Sequence, residues 1–128
     1  MKKYFYILAG GAAGATLRFL VNGRDIKLFM DKFPTGTFIV NIAGAFLLAF
    51  FLRWASKKDS FNENLHYAIA PGFLGAFTTF STLCKETTFL IIEANYSLVL
   101  FYLFISIFAG LSISWLGFTL SGWSRGKI

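Results

Sequence analysis

Apolar positions in this chain fall into four long runs, at about residues 4–22, 35–54, 65–93 and 94–122. Short charged stretches separate them, the clearest at 22–33 and 53–64. A helix needs roughly 20 apolar residues to cross the hydrocarbon core of a bilayer. The pattern therefore predicts an all-α membrane protein with four transmembrane helices in a single domain over residues 1–128. Connectors this short give an up-down-up-down bundle with both termini on one side of the membrane.

The third run is the irregular one. From Pro71 and Gly72 it passes through Gly75 into Thr78, Thr79, Ser81 and Thr82, four hydroxyl residues in five positions. Glycine is a weak helix former, and threonine hydroxyls compete for the backbone. A membrane tolerates broken backbone only where protein or a polar cavity satisfies the freed groups. The third helix is therefore expected to be broken at mid-membrane, as in helices that build ion sites from unwound carbonyls.

Polar positions in the other runs are sparse. Gly10 and Gly14 have the small-xxx-small spacing that lets helices approach closely, within the subunit or across a dimer contact. Arg18, near the end of the first run, either faces a wet cavity or snorkels to the interface. Thr37 and Asn41 share one face of the second helix. Asn41 bonds a neighbouring helix or donates to something passing. Gly44 and Ala45 keep the next turn small. His66 falls at the start of the third run, at the interface. Lys85 and Glu86 follow Thr82 by one turn, also at an interface or as a surface ion pair. In the fourth run Tyr102, Ser106, Gly110 and Ser114 recur every four residues, a narrow polar stripe whose serines could simply bond back to their own helix. Trp115, Trp123 and the basic residues of 125–127 suit a membrane interface.

Composition agrees with a membrane chain. The sequence is 56% hydrophobic and holds 17 phenylalanines, more apolar surface than a soluble domain of 128 residues could bury. The net charge of +6 lies at the ends of the apolar runs, which suits anionic headgroups rather than nucleic acid. Met1, Lys2 and Lys3 followed by an apolar run resemble a signal peptide. The run is read as a retained span, because the chain beyond it is equally membrane-like. A single cysteine, Cys84, excludes an intramolecular disulfide, and no Cys/His cluster suggests a transition metal. Seven basic residues, Lys2, Lys3, Arg53, Lys57, Lys58, Arg125 and Lys127, lie on the side of the termini, against Arg24, Lys27 and Lys32 on the other. That bias points the termini to the cytoplasm.

The intramembrane inventory is therefore hydroxyls, one amide and one guanidinium, with no carboxylate in the middle of a span. A proton-coupled transporter normally needs such a group, and Glu86 is the nearest to one. Ser81 has no His or Asp partner, so neither a nucleophilic triad nor an enzyme is predicted. Donors without acids suit an anion. Phenylalanine adds a weakly positive ring edge, and Phe80 sits among the polar residues.

Three strings carry a resemblance. They are Gly72-Phe73-Leu74-Gly75-Ala76-Phe77-Thr78-Thr79-Phe80-Ser81-Thr82, Gly36-Thr37-Phe38-Ile39-Val40-Asn41-Ile42-Ala43-Gly44, and the spacing of Gly10, Gly11, Gly14 and Arg18. Together they resemble Fluc-type (CrcB) fluoride channels over nearly the whole chain. The resemblance implies an antiparallel, dual-topology dimer that passes fluoride out of the cell through pores at the interface. It implies a central structural Na+ on backbone carbonyls, matching Gly75 and Thr78. It matches the fluoride pathway to Asn41, Phe80, Ser81, Thr82, Leu83, Glu86, Tyr102, Ser106 and Ser114, and the vestibule to Arg18 and Thr37. Two positions depart from the pattern. Leu83 stands where the family has a second phenylalanine, and Gly110 where a hydroxyl is expected. Either the pore tolerates both losses, or one pathway of the dimer is degenerate. The charge bias likewise leaves a second copy and a homologous partner subunit both open. A small four-span multidrug or cation exporter is the alternative from another class.

Overall fold

The computed structural model describes residues 2–22, 32–58 and 60–123. The connector charges Arg24, Asp25, Lys27 and Asp31 and the tail residues Arg125 and Lys127 lie outside the described residues, as does the side chain of Trp123. The described residues are helices and turns, with no strand among them. Helix α1 spans Lys2–Asn22 and α2 spans Thr35–Ala55. A short α3, Glu63–Tyr67, continues through a π-helical stretch, Ala68–Leu74, into the single turn α4, Gly75–Phe77. Helix α5 spans Phe80–Ile92 and α6 spans Tyr96–Trp123. Four stretches, with Glu63–Ile92 as the third, are long and apolar enough to cross a membrane.

Local chemistry explains the ends. Asn62 caps α3, its Oδ1 accepting from the amides of Asn64 at 2.9 Å and Leu65 at 3.4 Å. After α5 the chain reverses through Ala94, at φ 57°, a non-glycine residue in the left-handed region. The Ala94 and Asn95 amides take the Ile91 and Leu90 carbonyls there. Lys32 and Glu93, 3.0 Å apart, clasp the chain ahead of α2 to this reversal. At the opposite end Lys57 donates to the Ser121 and Gly122 carbonyls at 2.9 and 3.1 Å, closing the last turn of α6.

The interruption does not open at Pro71 and Gly72, where helix-breaking residues first gather. Proline lacks an N–H, and the wider π register takes up that loss without leaving the helix. Helix α1 lies along this stretch. A Cβ on Gly10 would strike the Ala68 carbonyl oxygen, and one on Gly14 the Phe73 carbonyl oxygen. The small face of α1 thus serves packing within the subunit, backbone on backbone. Helix α2 packs mainly on α6. Two apolar clusters form the core: Phe33, Leu90, Leu98, Val99 and Tyr102 toward the Lys32–Glu93 end, and Phe51, Ala55, Ala70 and Leu74 toward the other. On α2, Asn41 falls between them.

Candidate functional site

Thr78 and Thr79 are extended, with φ/ψ of −75°/156° and −148°/118°, and they separate α4 from α5. The Asn41 side chain crosses from α2 to hold them. Its Oδ1 accepts from the Thr79 amide at 2.8 Å and its Nδ2 donates to the Thr79 carbonyl at 3.0 Å. A side-chain amide thereby stands in for both lost backbone partners of one residue. Thr79 Oγ1 caps α5 by accepting from the Thr82 amide at 3.2 Å. It also contacts the Thr82 hydroxyl at 2.9 Å and the Ser81 hydroxyl at 3.3 Å. Thr78 bonds back to the Leu74 carbonyl through its hydroxyl at 3.0 Å. Gly44 makes room for it, since a Cβ there would meet the Thr78 methyl.

The redirected amides have a consequence for two carbonyls. In a continuous helix the Thr79 amide would take the Gly75 carbonyl, and the Thr82 amide the Thr78 carbonyl. Here the first goes to Asn41 and the second to the Thr79 hydroxyl. Arg18 Nη1 approaches the Thr78 carbonyl oxygen at 3.5 Å, the outer limit of a hydrogen bond. Gly75 is exposed.

One turn outward a second polar group closes. Glu86 accepts from the Thr37 hydroxyl at 2.7 Å and from the Tyr102 hydroxyl at 2.9 Å. Its two oxygens are thus engaged by α2 and α6, so it is not simply half of a surface pair with Lys85. Thr37 and Tyr102 are fully buried. Thr37 precedes Asn41 by one turn of α2, Tyr102 precedes Ser106 by one turn of α6, and Leu83 precedes Glu86 by one turn of α5. These form two rings: Thr37, Glu86 and Tyr102 outside, Asn41, Leu83 and Ser106 inside.

A groove of about 310 Å³ runs along the inner ring, with Phe38, Asn41, Phe80, Leu83, Ser106 and Gly110 among its walls. The Ser106 hydroxyl is buried and has no partner among the described residues. A Cβ on Gly110 would meet nothing within 4 Å, so the groove is open at that point. Phe80 is 79% exposed on the surface of the chain. Ser114 is set apart, its hydroxyl 3.4 Å from the Ala45 carbonyl. Ser81, exposed, borders the cap rather than the groove. Thr79 is the residue that sequence reasoning left off the site. The signal for it was its place three residues before Thr82, where an N-cap hydroxyl belongs.

A protein-family description, "CrcB-like protein, Camphor Resistance (CrcB)", matches residues 5–118. The "Fluoride-specific ion channel FluC" of Dehalococcoides mccartyi is 47% identical over 87 residues, 68% of this chain and 67% of that one. The "Fluoride-specific ion channel FluC 1" of Bacillus thuringiensis is 38% identical over 122 residues, covering 94% of this chain and 89% of the relative. The protein of that type from Oceanobacillus iheyensis is 35% identical over 121 residues, covering 94% and 92%. With four candidate membrane-crossing helices and bacterial relatives of this length, this is a multi-pass bacterial membrane protein, and the chain belongs to the CrcB family.

Proposed function

We propose that the chain is a fluoride-selective channel that lets cytoplasmic fluoride leave the cell passively. The orientation of Asn41 is the observation that carries this reading. Because Oδ1 accepts from Thr79, Nδ2 is fixed toward the Thr79 carbonyl and the groove. An amide nitrogen carries two hydrogens, and Thr79 takes one of them. The other is left for an anion in the groove, beside the buried Ser106 hydroxyl. Fluoride is small and strongly hydrated, so a narrow pore must replace its water with fixed donors. The inner ring provides donors and no carboxylate, while Phe80 and Phe38 provide ring edges. Glu86, Thr37 and Tyr102 stand at the outer end of the path. Ser81, Thr82 and Ser114 are assigned to its flanks, and Arg18 to a vestibule.

Thr78 and Thr79 stand near the middle of the 30-residue stretch Glu63–Ile92, which puts the interruption at mid-membrane in this reading. The Gly75 and Thr78 carbonyls, deprived of their helix amides, fit a hard cation such as Na+. Bound there, Na+ would supply a fixed positive charge beside the anion path, where a low dielectric makes it strong. The exposed Phe80 and Gly75 suit a second subunit, in an antiparallel dimer with pores at the interface. Fluoride efflux from liposomes carrying the purified protein tests this function, with chloride efflux as the control. Fluoride release above protein-free liposomes is expected. No release, or equal release of chloride, would defeat the proposal.

A further inference from the structure

A second groove, of about 580 Å³, lies outside the Glu86 ring, with Lys32, Lys85, Glu86, Phe89 and Ile92 among its walls. Lys85 is exposed and seven residues short of the end of α5 at Ile92. That is about 10 Å of helix, and a lysine at such depth must reach water through a cavity or along its own stem. Lys32, already bonded to Glu93 at 3.0 Å, lies at the outer rim of the same groove. Lys85 shares this groove with Glu86. Glu86 faces inward with Thr37 and Tyr102 on its oxygens, and Glu93 neutralises Lys32. Among the described residues, Lys85 is the cation of this groove with no ion pair or hydrogen bond. The charges of residues 23–31 lie outside the described residues.

We infer that Lys85 collects the anion at the outer mouth, offsetting the negative charge of the adjacent, inward-facing Glu86. The inference rests on the fluoride reading above. It makes Lys85 a positioning residue that sets capture and touches no part of the narrow inner ring. Its contribution is long-range Coulomb attraction, so it depends on ionic strength. The Debye length is about 30 Å at 0.01 M and about 3 Å at 1 M.

The test is the initial rate of fluoride efflux at low fluoride, from liposomes with Lys85→Gln, Lys85→Arg or the unaltered chain, at about 0.01 M and about 1 M of an impermeant salt. At low salt Lys85→Gln is expected to be slower by about two- to fivefold, with Lys85→Arg near the unaltered rate. At high salt the three should converge. A version in which folding cannot differ is Cys84→Ser with Lys85→Cys, labelled after reconstitution. A positively charged methanethiosulfonate reagent should speed low-salt efflux and a negatively charged one should slow it. Equal rates with both reagents, or a Lys85→Gln deficit that persists undiminished at high salt, would overturn the inference. Failure of the fluoride reading is separately visible, because the unaltered chain would then pass no fluoride, and the inference falls with it.

Discussion

Asn41 has both ends of its amide on one residue of a neighbouring helix, and the stability of the interruption depends on that pair of bonds. Replacing Asn41 with Leu strands the Thr79 amide and carbonyl away from water. Each unsatisfied buried group costs about 1–3 kcal/mol. The expected outcome is a clearly lowered melting temperature in detergent, together with loss of fluoride efflux. Thr79→Val should be milder, removing an N-cap worth about 1 kcal/mol, and is checked by the same melt. Asn41 was legible in the sequence because an amide in an apolar run must find a partner. The identity of that partner was not: the spacing of Thr79 and Thr82 signals a capping hydroxyl, but nothing in the sequence says which backbone groups of the run need an amide from another helix. The partners of Glu86 were not legible for a similar reason: Thr37 and Tyr102 are 49 and 16 residues away in the chain.

At the scale of elements, the four long helices were legible because charged and polar residues divide the apolar runs, and four stretches long and apolar enough to cross a membrane are present among the described residues. The course of the third was only partly so. Pro71 and Gly72 signal a breaker, but the signal does not distinguish a break from a π-helical widening, and neighbouring helices decide between them. Helix α1 is one such neighbour, pressed onto residues 68–73 through Gly10 and Gly14. Gly14→Val puts side-chain atoms into the Phe73 carbonyl, which cannot swing aside. Overpacking of this kind costs about 1–3 kcal/mol, so a lower melting temperature is expected. Gly110→Ala is the contrast. Open space surrounds that position, and its stability should stay within about 0.5 kcal/mol of the unaltered chain. Equal melting shifts for the two variants would contradict the packing described for α1.

For the whole molecule, the family was legible from three strings spread over the chain, and the match over residues 5–118 bears that out. The partner was not legible, because exposed apolar surface on a membrane helix serves lipid and subunit alike. The proposed antiparallel dimer makes a labelling prediction: cysteines placed at one terminus should be reached from both faces of the membrane if the chain inserts both ways. Protection of that terminus in every molecule would instead require a separate, oppositely inserted partner. Glu86→Gln separates the channel from a proton-driven exporter, which would lose pH-coupled drug efflux with that change.

The most direct measurement loads liposomes with equal fluoride and chloride, reconstitutes this chain alone, and follows both ions with selective electrodes. Release of fluoride while chloride stays inside is the predicted result. Retention of both ions, or release of both together, would contradict the account.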